Sequence, residues 1–378
     1  MAPTGEAIGR ADGLVLFVPL GLPGEVVEVE ITHQRRNFAH AQLINVVTPS
    51  PQRVTPPCPY FGHCGGCQWQ HIEYSAQVAF KTGIVREQLQ RVGKVVNPTV
   101  RDCLPSASPL GYRNRIQLAL SPRKHLGYRA ERSHDIVEIE QCPIAEPAIN
   151  DIVRDAPRLV RAATRFGEVE LRTGTLSPDD ETVQINVNTN TALYMTVEGL
   201  PFRVSEGAFS QVNTAMAEVL MQEVLKASAV QPHERVLDLY CGGGLFTWPL
   251  AMRCKEVLGV ESSPIAIADA RHNLAGLSNT NIIQGDVVDV LATQVVYGTA
   301  WEVIVLDPPR AGVERWALER LAKLRAPRLV YASCDPATLA RDALYLQEQG
   351  YRLDYAQPLD MFPQTHHVET VAKFSRYT

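Results

Sequence analysis

The chain has 378 residues, 45% of them hydrophobic and 20% charged, with a formal net charge of −5. That length predicts two or three domains, and the acidic balance excludes a polycation holding nucleic acid by charge over its whole surface. No apolar run approaches the roughly 18 residues of a membrane span, and the start, MAPTGEAIGRADG, has neither the basic end nor the apolar stretch of a signal peptide.

A cytoplasmic, reducing setting is therefore expected, in which the eight cysteines read as ligands, nucleophiles or core fillers. Residues 8–47 are expected to be all-β: LVLFVP and EVVEVEITH are β-branched runs, and Val27, Val29 and Ile31 alternate with Glu28 and Glu30. Glycines and Pro23-Gly24 punctuate them, which predicts a small barrel over 1–50 of a kind often used for RNA. It starts near Met1 with little room for a first strand, so a truncated barrel is also open.

TPSPQRVTPPCP reads as a proline-rich linker into a cysteine region, residues 51–98. CPYFGHCGGCQWQH places Cys58, Cys64 and Cys67 as C-x5-C-x2-C, and EQCPI adds Cys142 far downstream. Four thiolates close a tetrahedral zinc site or an iron–sulfur cluster equally well, and a reduced surface loop is a third reading. The spacing is not the C-x3-C-x2-C that a radical enzyme would use. AFKTGIVREQLQRVG predicts a helix over 79–93 with a glycine stop.

Residues 99–210 form the expected middle domain, with strands in YRNRIQLAL and ETVQINVNTN and a helix around 146–164. From Arg113 to Arg132 there are six Lys/Arg (Arg113, Arg115, Arg123, Lys124, Arg129, Arg132) against one acid, Glu131. Such a strip confines phosphate binding to one face, and Arg113, Asn114 and Arg115 are the candidates for RNA backbone contacts. A solvated hairpin is the alternative.

From about 213 the pattern alternates helix and strand, with strands at 235–240, 256–261, 281–285, 302–307, 328–333, 353–358 and 368–374. This predicts an α/β, Rossmann-like doubly wound sheet over 211–378, with ligands at the carboxyl ends of its strands. LDLYCGGGLFTWPLA supplies a glycine turn before a helix, where backbone N–H groups can meet a ligand. Glu261, Asp286 and Asp307 follow successive strands, a pattern suited to the ribose diol, adenine amine and sulfonium of S-adenosylmethionine. NAD, or a sheet with merely solvated acids, stays open. Asp307 begins DPPR, where amino-group methyltransferases carry an aromatic after the prolines; Arg310 in its place disfavours nitrogen as the acceptor.

VYASCDPATLARD puts Cys334 between a buried strand and a helix, with Asp335 placed to cap and Pro336 in the first turn. The helix terminus favours a thiolate and Asp335 opposes it, so the residue is either a nucleophile or a packed filler. Glu369, in FPQTHHVETVAKF, opens the last predicted strand and could face the same mouth. Thiol, carboxylate and methyl donor together suit one reaction. Thiolate addition to carbon 6 of uracil makes carbon 5 nucleophilic, and a base then removes the carbon-5 proton and expels the thiol. An ordinary exposed acid is the plainer reading of Glu369.

FSQVN (209–213), DLYCGGG, LDPPR, SCDPATLARD and FPQTHHVETV together resemble the signatures of the RNA uracil-5-methyltransferase family. The resemblance implies Cys334 as nucleophile and Glu369 as base. It implies cofactor contacts from Gln211, Tyr240, Glu261, Asp286 and Asp307, and it places Phe209 near the target base. Leu245 departs from the polar residue many relatives have there. The four cysteines behind a barrel that resembles the TRAM module look like the ribosomal-RNA branch, whose members carry a [4Fe-4S] cluster. That implies iron on Cys58, Cys64, Cys67 and Cys142 and 23S ribosomal RNA as partner; with all four irons ligated by protein, a structural cluster that orients the arginine strip is the hypothesis. Transfer RNA as substrate and an inactive iron–sulfur RNA-binding protein are the rivals. Cys103, Cys241 and Cys254 are expected to be inert, and a monomer without membrane or obligate protein partner is the default.

Overall fold

The computed structural model describes residues 1–377 apart from 132, 155–158, 160, 162–166, 181, 188–190, 294, 295 and 297. Its first sheet takes β1 (Ala7–Ala11), β2 (Leu14–Val18), β3 (Val26–Gln34) and β4 (Phe38–Thr48) in the order β1-β2-β4-β3. Period-two alternation puts Leu16, Val18, Ala39 and Ala41 into one buried cluster, whereas of the alternating Val27, Val29 and Ile31 only Val29 packs against it and Ile31 is exposed.

The helix expected at 79–93 is α1 (Tyr74–Arg91), which starts a turn earlier. It does not stay with the cysteine region: Val85 and Leu89 enter the same core as Leu339 and Ala340 from the far end of the chain. Lys81 of this helix forms a fully buried ion pair with Asp360 and donates to the Phe362 carbonyl at 3.1 Å.

The middle region contains β5 (Arg115–Leu120), β6 (Leu126–Arg129), β7 (Ile136–Glu138), α2 (Pro147–Val153), β8 (Glu168–Gly174) and β9 (Gln184–Val187). Its strands pair in the order β7-β6-β5-β8-β9, beside a ribbon of β10 (Leu193–Val197) and β11 (Leu200–Val204). Parts of the helix expected at 146–164 and of the ETVQINVNTN strand lie outside the described residues.

The last region alternates α3 (Thr214–Ser228), β12 (Arg235–Leu239), α4 (Thr247–Ala251), β13 (Glu256–Glu261), α5 (Pro264–Asn273), β14 (Thr280–Gln284), α6 (Val287–Val290), β15 (Val303–Leu306), α7 (Arg315–Lys323), β16 (Arg328–Ser333), α8 (Pro336–Glu348), β17 (Tyr351–Leu359) and β18 (Glu369–Arg376). The sheet runs β14-β13-β12-β15-β16-β18-β17. β12 to β16 are parallel, and β18 enters antiparallel between β16 and β17. Strand order reverses at β12, and at such a switch point the crevice beyond the carboxyl ends opens for a ligand. Both faces are covered, by core clusters around Leu237, Leu306 and Tyr331 on one side and Val236, Val305 and Leu220 on the other. Residues 99–104 extend the sheet edge, bridging Val100 to Ala356 and Leu104 to Leu359. Among the described residues no helix is long and apolar enough to cross a membrane.

Candidate active site

The first turn after β12 opens with Tyr240 in left-handed backbone, φ 62°, and continues through Gly242 at 54° and Gly244 at 94°. Gly242 has open space where a side chain would start, so its backbone lies bare to the crevice. Asn273 of α5 fixes the turn by donating to the Gly243 carbonyl at 2.9 Å. Glu261, ending β13, accepts from the N–H groups of Gly242 at 3.1 Å and Ser263 at 2.7 Å, so its carboxylate stands at the rim of the turn. Asp286 caps α6 from an exposed position, accepting from Val288 N–H at 2.8 Å.

Asp307 follows β15 and Cys334 follows β16, both half-buried at the same edge of the sheet. Asp335 caps α8 by accepting from the Ala337 and Thr338 N–H groups, each at 2.9 Å, with Pro336 in the first turn as expected. Because β18 runs antiparallel, its first residue lies at the edge where the parallel strands end. Thr370 pairs with Ser333, so Glu369 and Cys334 stand at adjoining positions of neighbouring strands. Antiparallel entry is what unites two residues 35 positions apart in Cys334 to Glu369 numbering.

The mouth is rich in buried acid. Burial and then the Glu369 carboxylate push the Cys334 thiol up to about 11, against the pull of Arg310. Glu369 is buried, and burial followed by Asp307 holds its carboxyl well above the usual range. Asp307 is raised by burial, Asp238 and Glu261. Asp238 lies fully buried in β12; Thr247 donates to one of its oxygens at 2.6 Å, and the other has no hydrogen-bond partner. Four carboxyl groups around one crevice, one with an orphaned oxygen, fit a ligand that brings positive charge, as the sulfonium and amine of S-adenosylmethionine would. Burial and the neighbouring acids thus disfavour the Cys334 thiolate, and the charge favouring its ionisation comes from Arg310, seen in sequence only as a missing aromatic.

Gln211 is buried, and its carbonyl accepts from the Asn114 amide at 3.0 Å. Phe209, two residues before, is 74% exposed. Their loop is tied to β8 by Arg172, which donates to the carbonyls of Ser205 at 3.0 Å and Ala208 at 3.2 Å. Asp238 and Arg172 went unnoticed in the sequence; an acid inside the apolar run RVLDLY was the available signal for the first, and none existed for the second.

The arginine strip does not form one face. Asn114 is buried, donating also to Thr214 Oγ1 at 2.9 Å, so it joins the middle sheet to α3 instead of presenting a donor to solvent. Arg113 points to the cysteines, while Arg115 pairs with Glu170 at 2.7 Å. Arg123, Lys124 and Arg129 are exposed, and Arg132 lies outside the described residues.

Cys58, Cys64, Cys67 and Cys142 line one cavity of ≈ 400 Å³, open mouth included, with Tyr60, Phe61, Arg113 and Tyr128 among its walls. None is in a disulfide, and burial raises the first three thiols, Cys67 to about 12. Gly66 N–H donates to Cys64 Sγ at 3.4 Å and Tyr128 to Cys142 Sγ at 3.6 Å. Among the described residues no three His, Cys, Asp or Glu side chains converge as ligands of one metal ion. Cys103 and Cys241 are buried, and Cys254 is half-buried.

Residues 183–376 match the family described as tRNA (Uracil-5-)-methyltransferase, and residues 2–44 match the TRAM domain. The chain is 35% identical over 415 aligned positions to 23S rRNA (uracil(1939)-C(5))-methyltransferase RlmD of Pectobacterium atrosepticum, across 98% of this chain and 91% of that one. It is 36% identical over 423 positions to the RlmD of Pseudomonas putida, across 99% and 92%. In three dimensions it resembles the crystal structure of Pyrococcus abyssi tRNA (uracil-54, C5)-methyltransferase with S-adenosyl-L-homocysteine, with a TM-score of 0.74, 26% identity and 98% and 97% coverage.

Proposed function

The chain belongs to the tRNA (uracil-5-)-methyltransferase family, and from that premise we propose that it methylates carbon 5 of a uridine in 23S ribosomal RNA through a transient bond from Cys334 to carbon 6. The observation that carries this reading is the meeting of Cys334 and Glu369 at the crevice where the sheet reverses. S-Adenosylmethionine would supply an electrophilic methyl group when bound, and Gln211, Tyr240 with the glycine turn, Glu261, Asp286 and Asp307 would hold it. The Cys334 thiol loses its proton to solvent as sulfur bonds to carbon 6, and the electron pair of the C5–C6 bond passes to carbon 5. Once carbon 5 is methylated, Glu369 takes its proton, the double bond re-forms and the C6–S bond breaks. A carboxylate whose pKa is raised is a stronger base for that step. The exposure of Phe209 favours stacking beside the turned-out base, with Arg115 donating to the adjoining Ala208 carbonyl at 3.4 Å.

Ribosomal RNA is favoured because the two RlmD relatives match nearly end to end at higher identity than the archaeal tRNA enzyme. Three features favour a [4Fe-4S] cluster: all four thiols line one cavity, Cys64 and Cys142 sulfurs receive N–H and O–H donors, and buried Arg113 Nε has no hydrogen-bond partner. Arg113 would then balance the charge of the cluster, leaving the exposed Arg123, Lys124 and Arg129 for phosphate. We assign 1–50 to the barrel, 51–98 with Cys142 to the cluster, 99–210 to RNA contact and 211–378 to methyl transfer, acting as a monomer.

Unmodified large-subunit RNA and unmodified transfer RNA are offered to the purified protein with labelled donor. Label is expected at 5-methyluridine in the first; label only in the second would reverse the substrate. Glu369→Gln is expected to accumulate a methylated protein–RNA adduct that Cys334→Ala cannot form. No adduct with any RNA, 5-fluorouracil-substituted RNA included, would leave an RNA-binding protein without this chemistry. Iron bound to the wild type and lost in Cys64→Ser is the expected result for the cluster.

A further inference from the structure

Burial, Glu369 from β18, Asp307 from the end of β15 and Asp335 from its own helix all disfavour the Cys334 thiolate, and Arg310 opposes them. His366 and His367, in the segment leading into β18, are held below the ordinary imidazole range by burial first and also by Arg310. Yet Pro309, Arg310 and Ala311 are exposed, so packing alone does not hold their turn. Helix α8 holds it. Thr338 Oγ1 lies 3.2 Å from the Arg310 carbonyl and 3.2 Å from the Asp335 carbonyl, so one hydroxyl spans the turn and the residue after Cys334. One helical turn further on, Arg341 donates through Nη2 to the carbonyls of Ala311 at 3.0 Å and Val313 at 3.4 Å. Its Nε donates to Asp342 Oδ1 at 2.8 Å. Asp342 is fully buried and accepts at Oδ2 from the Val313 N–H at 2.9 Å and from the Tyr331 hydroxyl at 2.8 Å. Gly312 sits between them at a φ of 76°, and an added methyl would lie 2.5 Å from Arg341 Nη2 and 2.7 Å from Asp342 Oδ2.

Charge-assisted bonds from a planar fork restrict a turn more tightly than neutral ones. The helix that makes them also begins just after Cys334, so turn and thiol are set by one rigid element. The influence of a charge on a neighbouring thiol falls with distance, so the setting matters. We propose that Arg341 and Asp342 are positioning residues for the reaction: from the second turn of α8 they clamp residues 311–313 and so keep Arg310 beside Cys334. Their hydrogen bonds go to the turn, to Tyr331 and to each other, and none goes to the sulfur. The inference rests on Cys334 as the nucleophile and adds to it the residues that hold its one neighbouring cation in place.

The test follows alkylation of Cys334 by iodoacetamide from pH 7 to 9 in the full chain, without donor or RNA, at a temperature where circular dichroism shows each variant folded. Arg310→Met is expected to slow alkylation about tenfold across this range, the low end of what an opposite charge beside an ionising group is worth. Arg341→Met should slow it by about 3- to 10-fold, and the two changes together no more than Arg310→Met alone, because the second then has nothing to displace. Gly312→Ala keeps every charge, pushes the turn off the helix and should slow the reaction as Arg341→Met does. Tyr331→Phe takes a bond from Asp342 without freeing the turn and should react at the wild-type rate. Wild-type rates in both Arg341→Met and Gly312→Ala would overturn the inference. So would losses that multiply in the double variant, which mark a direct effect of the Arg341 charge, or equal slowing in Tyr331→Phe, which marks a loosened helix. In single-turnover methyl transfer to large-subunit RNA, Arg341→Met is expected to lose a similar factor with KM for RNA unchanged. A wild type that methylates no RNA, while the clamp variants alkylate slowly, would sink the functional reading and leave this one standing.

Discussion

Cys334 holds its thiol where burial and a neighbouring carboxyl oppose ionisation, near a value of about 11. Below that value the thiolate fraction grows with pH. Alkylation of Cys334 in donor-free protein, followed on its peptide by mass spectrometry, is therefore expected to accelerate about tenfold per pH unit from pH 7 to 9. S-Adenosylmethionine, being cationic, should shift the curve to lower pH, whereas uncharged-sulfur S-adenosylhomocysteine should not; a plateau below pH 8 without donor would contradict this. Asp238 is shifted in the same direction, and there the consequence is for stability. Its folded carboxyl holds a proton up to about 7 against 3.8 ordinarily, so the folded state binds the extra proton and stability falls as pH rises across that window. Asp238→Asn keeps an acceptor for Thr247 and is expected to gain on the order of 2 kcal/mol at pH 8 and little at pH 4 in denaturant melts. Equal destabilisation at both pH values would mean that Asp238 is ionised and satisfied in the fold.

At the level of elements, caps and strand direction place the chemistry. Asp335, which accepts from two N–H groups at the start of α8, also fixes the turn that carries Cys334. Asp335→Ala should cost about 1 kcal/mol of stability. It should also lower the rate of adduct formation beyond what that loss explains, measured at a temperature where the variant is fully folded. These features were legible beforehand: Asp-Pro after an apolar run reads as cap and first turn, and acids after successive strands read as a ligand edge. The parallel strands fall where alternation put them, each within two residues. What strands 353–358 and 368–374 would do was not legible, because periodicity is the same for parallel and antiparallel pairing. That choice decides which end of β18 meets Cys334.

Across the whole molecule, distant segments converge on residues 360–368, which lead into Glu369. Lys81 reaches Asp360 and the Phe362 carbonyl, Gln77 donates to the Gln364 side chain at 3.0 Å, and Tyr112 donates to the Pro363 carbonyl at 3.0 Å. Gly5 lies against the His366 ring, at a φ of 93° that leaves no room for a side chain. Helix α1 thus braces the segment that leads into β18 from a part of the chain that sequence grouped with the cysteines. Lys81→Met leaves Asp360 buried and unpaired and is expected to destabilise the protein by about 3–5 kcal/mol in thermal or denaturant melts. A loss below 1 kcal/mol would show that Asp360 is readily neutralised by a proton.

By itself the sequence determined most of the elements, the glycine turn and the acids at strand ends, since these depend on local spacing and side-chain chemistry; Cys334 and Glu369 were marked as candidates by their place after and before apolar strands and by the family resemblance. Three matters were left to the tertiary structure: Arg113 turns to the cysteine cavity, Asn114 is spent on an internal joint, and the thiol is raised by its surroundings. Each depends on which atoms from remote parts of the chain come within a few ångströms and exclude water. Linear spacing carries no information about that.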